Sequence, residues 1–265
     1  MSKHSQQELH EQHVPTGHQP EFSRRTLLGT AALASVCGMV GFSKHLATKT
    51  VFVDEKQPVV APATPEEALK VLYSGNSRFA SGKSEANRDM TRVRAVAREQ
   101  KPFAAFLGCA DSRVPIEIVF DQGFGDLFVT RIAGNVASSE NIGSLEFGTQ
   151  VLGAKVLYVL GHTECGAVNA TMKGTDVPGQ ISGLFQYIRP AVKTPGGDLN
   201  KAIRENVRNQ ATLLAEASPV ISKMIQRKEL IVAGGIYDLA TGVVTSIDLS
   251  VSWGCSQHVG TGQFA

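Results

Sequence analysis

Two short polar motifs, each directly after an apolar run, most constrain what this chain can fold into. The first, from Gly108 to Arg113, reads Gly-Cys-Ala-Asp-Ser-Arg and follows apolar residues 103–107. The second, from Gly161 to Gly166, reads Gly-His-Thr-Glu-Cys-Gly and follows residues 156–160. Apolar runs this short are typical of buried strands, and Pro102 ahead of the first run favours a strand over a helix.

Predicted strands and helices alternate along the middle of the chain. Strands are predicted at 103–108, 127–131, 156–160, 230–233 and 243–249, and helices at 64–75, 91–100, 139–153, 165–172, 180–192, 199–217 and 219–228. The alternation predicts an α/β fold with a central, mostly parallel β-sheet flanked by helices. The last two strands are expected to form a hairpin at a sheet edge. Ligands of such sheets bind beyond the carboxyl ends of the strands, so both motifs are expected at one site.

The N-terminal region resembles an export signal. Ser23-Arg-Arg-Thr-Leu-Leu28 opens an apolar stretch that runs to about residue 42, which is the twin-arginine pattern. We therefore expect a signal region at 1–47, a linker at 48–63 and one domain at 64–265. The twin-arginine translocation machinery would then be a transient partner, with the periplasm or a thylakoid lumen as destination. An uncleaved anchor and a buried N-terminal helix are the alternatives.

Composition excludes several classes of protein. The formal net charge is +2 and the main body has no block of basic residues, so a nucleic-acid partner is not expected. The chain has four cysteines, too few for a disulfide scaffold in a chain of 265 residues. Cys37 falls in the predicted signal region, and Cys255 is interpreted as a buried small side chain.

Cys109, His162 and Cys165 form a donor set that suits Zn²⁺, which prefers thiolate and imidazole ligands in tetrahedral geometry. Structural zinc sites have a fourth protein ligand, whereas three ligands with one open position are typical of catalytic zinc. The His-x-x-Cys fragment alone is a weak signal and would more often be a core histidine near a core cysteine. Asp111 and Arg113 strengthen the zinc hypothesis, because charged side chains at a strand end need partners.

Asp111 has two possible roles in such a site. It either takes the fourth metal position and closes the site, or pairs with Arg113 and orients the species bound there. The guanidinium of Arg113 can hold a carboxylate with two hydrogen bonds, which favours the open form. The alternative for both residues is a local salt bridge, which is compatible with either role.

The combination of Cys109-Ala-Asp111-Ser-Arg113 with His162-x-x-Cys165 resembles the β-class carbonic anhydrases over roughly residues 64–255. The resemblance implies a β-carbonic-anhydrase-like fold, a homodimer or higher homo-oligomer, and reversible hydration of carbon dioxide to bicarbonate. Zinc lowers the pKa of bound water from about 15.7 towards 7, which gives hydroxide near neutral pH. Two thiolates weaken this acidification, so we expect activity to favour mildly alkaline pH.

Further residues resemble the plant-like branch of that family. Gln100, nine residues before Cys109, matches its substrate-polarising glutamine, and Phe128 and Phe147 match aromatic residues that line the site across the dimer interface. Gly166 would offer a backbone N–H to the substrate. The alternatives are an exposed polar residue for Gln100 and plain core packing for the two phenylalanines.

Another branch of the family carries a regulatory bicarbonate pocket of tryptophan, tyrosine and arginine. Phe106 and Ala233 stand at the positions of the first two, although Arg131 is retained. The pocket is therefore expected to be absent, and strong bicarbonate inhibition with it.

Three rival functions remain open from the sequence. Relatives with the same ligands hydrolyse carbon disulfide or carbonyl sulfide. An inactive zinc-binding scaffold is a second rival, against which the complete Asp111–Arg113 pair argues. A thiol redox protein is the third, although the chain has no Cys-x-x-Cys.

Overall fold

A computed structural model describes residues 61–174, 176–193 and 197–249. The predicted signal region, most of the predicted linker, Cys37 and Cys255 lie outside these ranges. Within them, no helix has both the length and the apolar character needed to cross a membrane.

The described part of the chain alternates strands with helices, as the sequence predicts. The strands are β1 (Ala104–Gly108), β2 (Leu127–Arg131), β3 (Val156–His162), β4 (Ile231–Tyr237) and β5 (Val244–Ser246). The α-helices are α1 (Pro65–Ala80), α2 (Met90–Val96), α3 (Ile116–Val119), α4 (Ser139–Glu146), α5 (Gly166–Lys173), α6 (Ser182–Lys193), α7 (Leu199–Ala217) and α8 (Pro219–Gln226). A π-helix (Phe147–Val151) continues α4, and a short 3-10 helix (Gly179–Ile181) precedes α6.

The strands form one sheet in the order β2-β1-β3-β4-β5. The first four strands of that order run parallel, and β5 pairs antiparallel with β4 at the edge. This confirms the predicted α/β class and the predicted edge hairpin. In the register, Gly108 at the end of β1 lies opposite Leu160 of β3 and Arg131 of β2. The carboxyl ends of β1, β2 and β3 therefore lie side by side.

Two apolar cores cover the two faces of the sheet. Side chains alternate between faces along a strand, so Leu107 and Val159 join a core with α4 to α8, whereas Phe106 and Tyr158 join one with α1 and α3. All four side chains are fully buried. Burial on both faces explains why these strands read as continuous apolar runs.

The predicted end of the first helix is wrong. The capping box of Thr64 and Glu67 begins α1 as expected, but the helix passes through Gly75 and Asn76 and ends at Ala80. A Cβ on Gly75 would stand 1.9 Å from the Phe120 carbonyl oxygen. The buried Asn76 amide hydrogen-bonds to backbone groups of other segments. Gly75 and Asn76 therefore serve contacts with other segments, and they do not end the helix.

Other element boundaries differ less from the prediction. The second helix was predicted to reach Gln100 but ends at Val96, and it buries none of its residues. The strand predicted at 156–160 extends to His162, because β4 continues to pair with it up to Tyr237. The predicted helix at 139–153 changes to π-helical hydrogen bonding at Phe147.

Candidate metal centre

Neighbouring strand ends deliver the three predicted donors. Cys109 directly follows β1, His162 is the last residue of β3, and Cys165 is the N-cap of α5. Each strand carries a glycine just before its donor. A Cβ on Gly108 would stand 2.4 Å from Ile116 Cδ1, and one on Gly161 would stand 2.6 Å from Val207 Cγ2. These glycines let flanking helices pack closely against the strand ends.

The donor atoms of Cys109, His162 and Cys165 all lie within 4.8 Å of one another, and all three residues are buried. The Nδ1 atom of His162 is 2.9 Å from the Thr163 carbonyl oxygen, so Nδ1 carries the proton and donates it. In the neutral ring the lone pair of His162 then resides on Nε2, which is buried and has no hydrogen-bond partner among the residues that the structure describes. A buried imidazole nitrogen without a partner, beside two thiols, fits a metal ion as its missing partner.

The protonation of the donors also fits a cation. A hydrogen bond from the Cys165 thiol lowers the pKa of Cys109, although burial acts to raise it. His162 and the Gly134 N–H lower this pKa further. The proton shared with Cys109, together with burial, raises the pKa of Cys165. Burial acts to lower the pKa of His162, but the nearby Cys109 thiolate outweighs it and raises that pKa. Without a metal the pair of thiols thus keeps one proton, which a divalent cation would displace.

Asp111 and Arg113 lie at the rim of this donor set. Arg113 Nε donates to Asp111 Oδ1 at 2.9 Å, and Nη2 donates to Oδ2 at 2.8 Å, so the carboxylate is held by both oxygens. These hydrogen bonds hold the pKa of Asp111 well below its usual range, although burial opposes them. Asp111 Oδ2 is 3.9 Å from His162 Nε2. An ionised, oriented acceptor therefore stands next to the place where the donors converge.

Two contacts at the centre were not predicted from the sequence. Arg131, at the end of β2, donates from Nε to the Cys109 carbonyl oxygen at 2.9 Å and from Nη2 to the Asp111 carbonyl oxygen. Gly134 donates its backbone N–H to Cys109 Sγ, with 3.3 Å between nitrogen and sulfur. The position of Arg131 at a parallel strand end is a signal that could have indicated the first contact. Hydrogen bonds from a backbone N–H leave no such signal.

The residues predicted to contact substrate lie in several elements. Gln100 is exposed in the segment between α2 and β1. Phe128 is half-buried in β2, and its ring centroid lies 6.3 Å from that of Phe147, which is 46% exposed. Gly166 begins α5, and apart from its chain neighbours and its own helix backbone, no heavy atom of the described residues lies within 4 Å of the position that a Cβ would take there. The two phenylalanines are therefore neighbours within one chain, and their role in lining a site across a dimer interface stays a prediction.

The positions of the regulatory pocket carry other interactions. Phe106 packs against Phe120 and Tyr158, with ring centroids 5.0 and 5.3 Å away. Ala233 lies opposite Tyr158 in the register of β3 and β4. The guanidinium of Arg131 is engaged with the carbonyl groups of the first motif.

The fold and the site together define an α/β protein with a Cys₂His donor set that fits a metal ion at the carboxyl end of a parallel sheet. Comparison with known proteins gives the family. The family model described as "Carbonic anhydrase" matches residues 104–244. "Carbonic anhydrase 2" of Mycobacterium tuberculosis is 37% identical over 187 residues, which cover 67% of this chain and 90% of that protein.

The comparisons extend to a second relative and to a solved structure. "Carbonic anhydrase" of Mycolicibacterium smegmatis is 34% identical over 191 residues, 69% of this chain and 93% of that protein. A Coccomyxa β-carbonic anhydrase in complex with acetazolamide superposes with a TM-score of 0.54 at 27% identity, covering 70% of this chain and 87% of that one. The chain therefore belongs to the carbonic anhydrase family, in its β class.

Proposed function

We propose that this protein catalyses the reversible hydration of carbon dioxide to bicarbonate and a proton, as a zinc-dependent carbonate dehydratase. The observation that carries the proposal is the convergence of three buried donors, Cys109, His162 and Cys165, beside the Asp111–Arg113 pair. These donors would hold the Zn²⁺ ion. When bound, the ion supplies Lewis acidity, which lowers the pKa of water enough to provide a nucleophile near neutral pH.

Asp111 and Arg113 orient the reacting groups. Because Arg113 occupies one side of the carboxylate through Nε and Nη2, Asp111 stays ionised and in one rotamer. Its Oδ2 atom, the oxygen nearer to His162, accepts a hydrogen bond from the nucleophile and so directs the nucleophile's lone pair towards carbon dioxide. The engaged carboxylate favours an open site, and the closed form requires release of Asp111 from Arg113.

The plant-like substrate residues belong to this proposal. The amide group of Gln100 donates to an oxygen of carbon dioxide and polarises the carbon. Phe128 and Phe147 line the site across the dimer interface and exclude bulk water from the linear substrate, and the adjacency of their rings within one chain supports a joint apolar surface. The backbone N–H of Gly166, next to the ligand Cys165, binds an oxygen of bicarbonate.

The test is stopped-flow carbon dioxide hydration by the full chain after loading with zinc, with bound zinc measured in the same sample. Hydration that is lost after chelation and regained with zinc is the expected result. Carbon disulfide assayed in parallel distinguishes the rival hydrolase, which would turn over that substrate instead. A chain that binds stoichiometric zinc and turns over neither substrate would be the inactive scaffold, contrary to the proposal.

The active unit of the proposal is a homodimer or a higher homo-oligomer. Supporting it, β2 is an edge strand of the sheet, and the exposed apolar side chains of Phe147 and Val151 lie on the π-helix that follows α4. Exposed strand edges and apolar patches mark surfaces that pair with other chains. Light scattering after size-exclusion chromatography should give at least twice the mass of one chain, and Val151→Glu should lower it. A monomer that retains full activity would contradict this part.

Export by the twin-arginine route, to the periplasm or a thylakoid lumen, is the last part of the proposal. It is supported by Arg24 and Arg25 ahead of an apolar stretch. Replacing both arginines by lysine in the full chain should retain the protein in the cytoplasm of a bacterium that has this pathway, whereas the unaltered chain is exported. Equal distribution of both proteins would contradict the proposed route.

A further inference from the structure

A short loop at 132–137 passes beside the metal centre. Its Gly134 N–H donates to Cys109 Sγ, in a buried contact with 3.3 Å between nitrogen and sulfur. The loop holds two consecutive residues with positive φ, 75° at Gly134 and 44° at Asn135. Backbone of this kind persists only where the surroundings determine it. The direction of the Gly134 N–H therefore depends on whatever holds the loop.

Two buried amide side chains of α7 hold it. Asn206 Nδ2 donates to the Gly134 carbonyl oxygen at 2.9 Å, and the Ala137 N–H donates to Gln210 Oε1 at 2.8 Å. Gln210 Nε2 in turn donates to Asn206 Oδ1 at 3.1 Å and to the Tyr187 carbonyl oxygen at 3.0 Å. Both amide side chains are 1% exposed and lie four residues apart on one helix face.

The helix that carries this amide pair also contributes apolar side chains to the core. Val207 and Leu214 of the same helix are fully buried in the core that also contains Cys109. A buried amide is costly unless its groups are hydrogen-bonded, and the loop backbone supplies the missing partners. Apolar side chains at these two positions could fill the core but could not form hydrogen bonds with the loop beside the metal centre.

We propose that Asn206 and Gln210 are positioning residues of the metal centre, which fix the loop at 132–137 so that the Gly134 N–H donates to the Cys109 thiolate. This hydrogen bond sets how strongly the sulfur donates to the metal, in the way that partners beyond the ligands orient and tune metal sites. The role of both amides rests on the proposed zinc site, since it concerns a ligand of that ion.

The first test uses the unaltered full chain loaded with ¹¹³Cd. The amide proton of Gly134 should show a scalar coupling to cadmium, transmitted through the N–H···S hydrogen bond to Cys109 Sγ. A cadmium-loaded protein in which the Gly134 amide shows no such coupling would overturn the proposal. Failure to bind any metal would instead count against the proposed zinc site.

The second test compares variants in the cobalt-loaded protein. Asn206→Leu removes the bond to the Gly134 carbonyl at similar volume, and Gln210→Met removes the bond from Ala137. Each should shift the sulfur-to-cobalt charge-transfer band to lower energy and weaken zinc affinity by about 10–100-fold. The second variant carries the same test if the first does not fold.

Asn76→Leu is the matched control. Asn76 is also a buried asparagine with three hydrogen bonds to backbone groups, but it lies on α1 in the opposite core. We expect this variant to lower stability without moving the charge-transfer band or the zinc affinity. A band that stays in place in the Asn206 and Gln210 variants, or moves equally in the Asn76 variant, would reduce the amide pair to a general role in stability.

Discussion

Replacing Gly161 by alanine perturbs the packing between β3 and α7 one residue away from His162. A Cβ at this position would stand 2.6 Å from Val207 Cγ2 and 3.0 Å from Ile236 Cδ1. Carbon atoms in ordinary contact are about 3.5–4.0 Å apart, so the new methyl group lacks about 1 Å of space. Val207 is fully buried, and either α7 or the end of β3 must therefore move.

The expected cost follows from known effects of overpacking. Adding a methyl group to a packed core destabilises a protein by about 1–3 kcal/mol. Val207→Ala alone removes two buried methyl groups and costs about 2 kcal/mol. In the double variant the new methyl group occupies the space that Val207 Cγ2 vacates. The double variant should therefore be more stable than the sum of the single effects by about 1–2 kcal/mol.

The assay is urea unfolding of the unaltered chain and the three variants in the presence of a chelator, so that stability is free of bound metal. Zinc affinity is measured on the same proteins by competition with a chromophoric chelator. Gly161→Ala should also weaken zinc binding, because His162 is displaced, and Val207→Ala should restore part of the affinity. If the losses in stability and in zinc affinity are additive in the double variant, the close approach of Val207 to Gly161 does not determine the position of His162, and the reasoning is refuted.

Four further predictions concern the chemistry and the charges. Arg113→Ala should release Asp111 to bind zinc and abolish turnover while zinc stays bound, and a crystal structure with water still on the metal would contradict this. Carbon dioxide hydration should rise from mildly acidic to mildly alkaline pH, and a flat profile would count against two thiolate ligands. Since the regulatory pocket is expected to be absent, millimolar bicarbonate should leave the hydration rate nearly unchanged; strong inhibition would show that such a pocket exists. Burial acts to raise the pKa of Asp121, but hydrogen bonds from backbone N–H groups and Arg78 lower it below the usual value. Its contribution to stability is therefore complete above about pH 4 and is lost as pH falls through the lower pKa of the folded state. Unfolding free energy should accordingly depend less on pH below about pH 4 in Asp121→Asn, and an unchanged slope would exclude Asp121 as the source.

Much of the fold could be predicted because the strands are buried on both faces. Residues 104–108 and 156–160 are apolar without interruption. Such runs are typical of parallel strands, which lack the alternation of apolar and polar residues seen in half-buried strands. The bounds of β2 and α7 agree with the prediction. The end of α1 could not be predicted in this way. Gly75 and Asn76 are ordinary helix-stop residues by local preference, and only the contacts with Phe120 and Val119 explain their place inside the helix.

The candidate site could likewise be predicted only in part. The donors Cys109, His162 and Cys165 could be proposed from residue type and spacing, because few side chains bind zinc and strand ends bring them together. The side chains that hold the loop beside Cys109 could not be proposed from the sequence. The amides of Asn206 and Gln210 bond to a loop about 70 residues earlier in the chain. Such hydrogen bonds with the backbone leave no mark in the sequence of the loop.

The sequence by itself determined the class of the sheet, the order of its elements and the chemistry of the donor set. These follow from local preference, burial pattern and residue type, which are properties of short segments. The tertiary structure decided that three donors converge within 4.8 Å, that His162 Nε2 has no hydrogen-bond partner among the described residues, and that Asp111 Oδ2 lies 3.9 Å from that nitrogen. These features depend on distances between segments far apart in the chain, and only the packing of the whole domain fixes those distances.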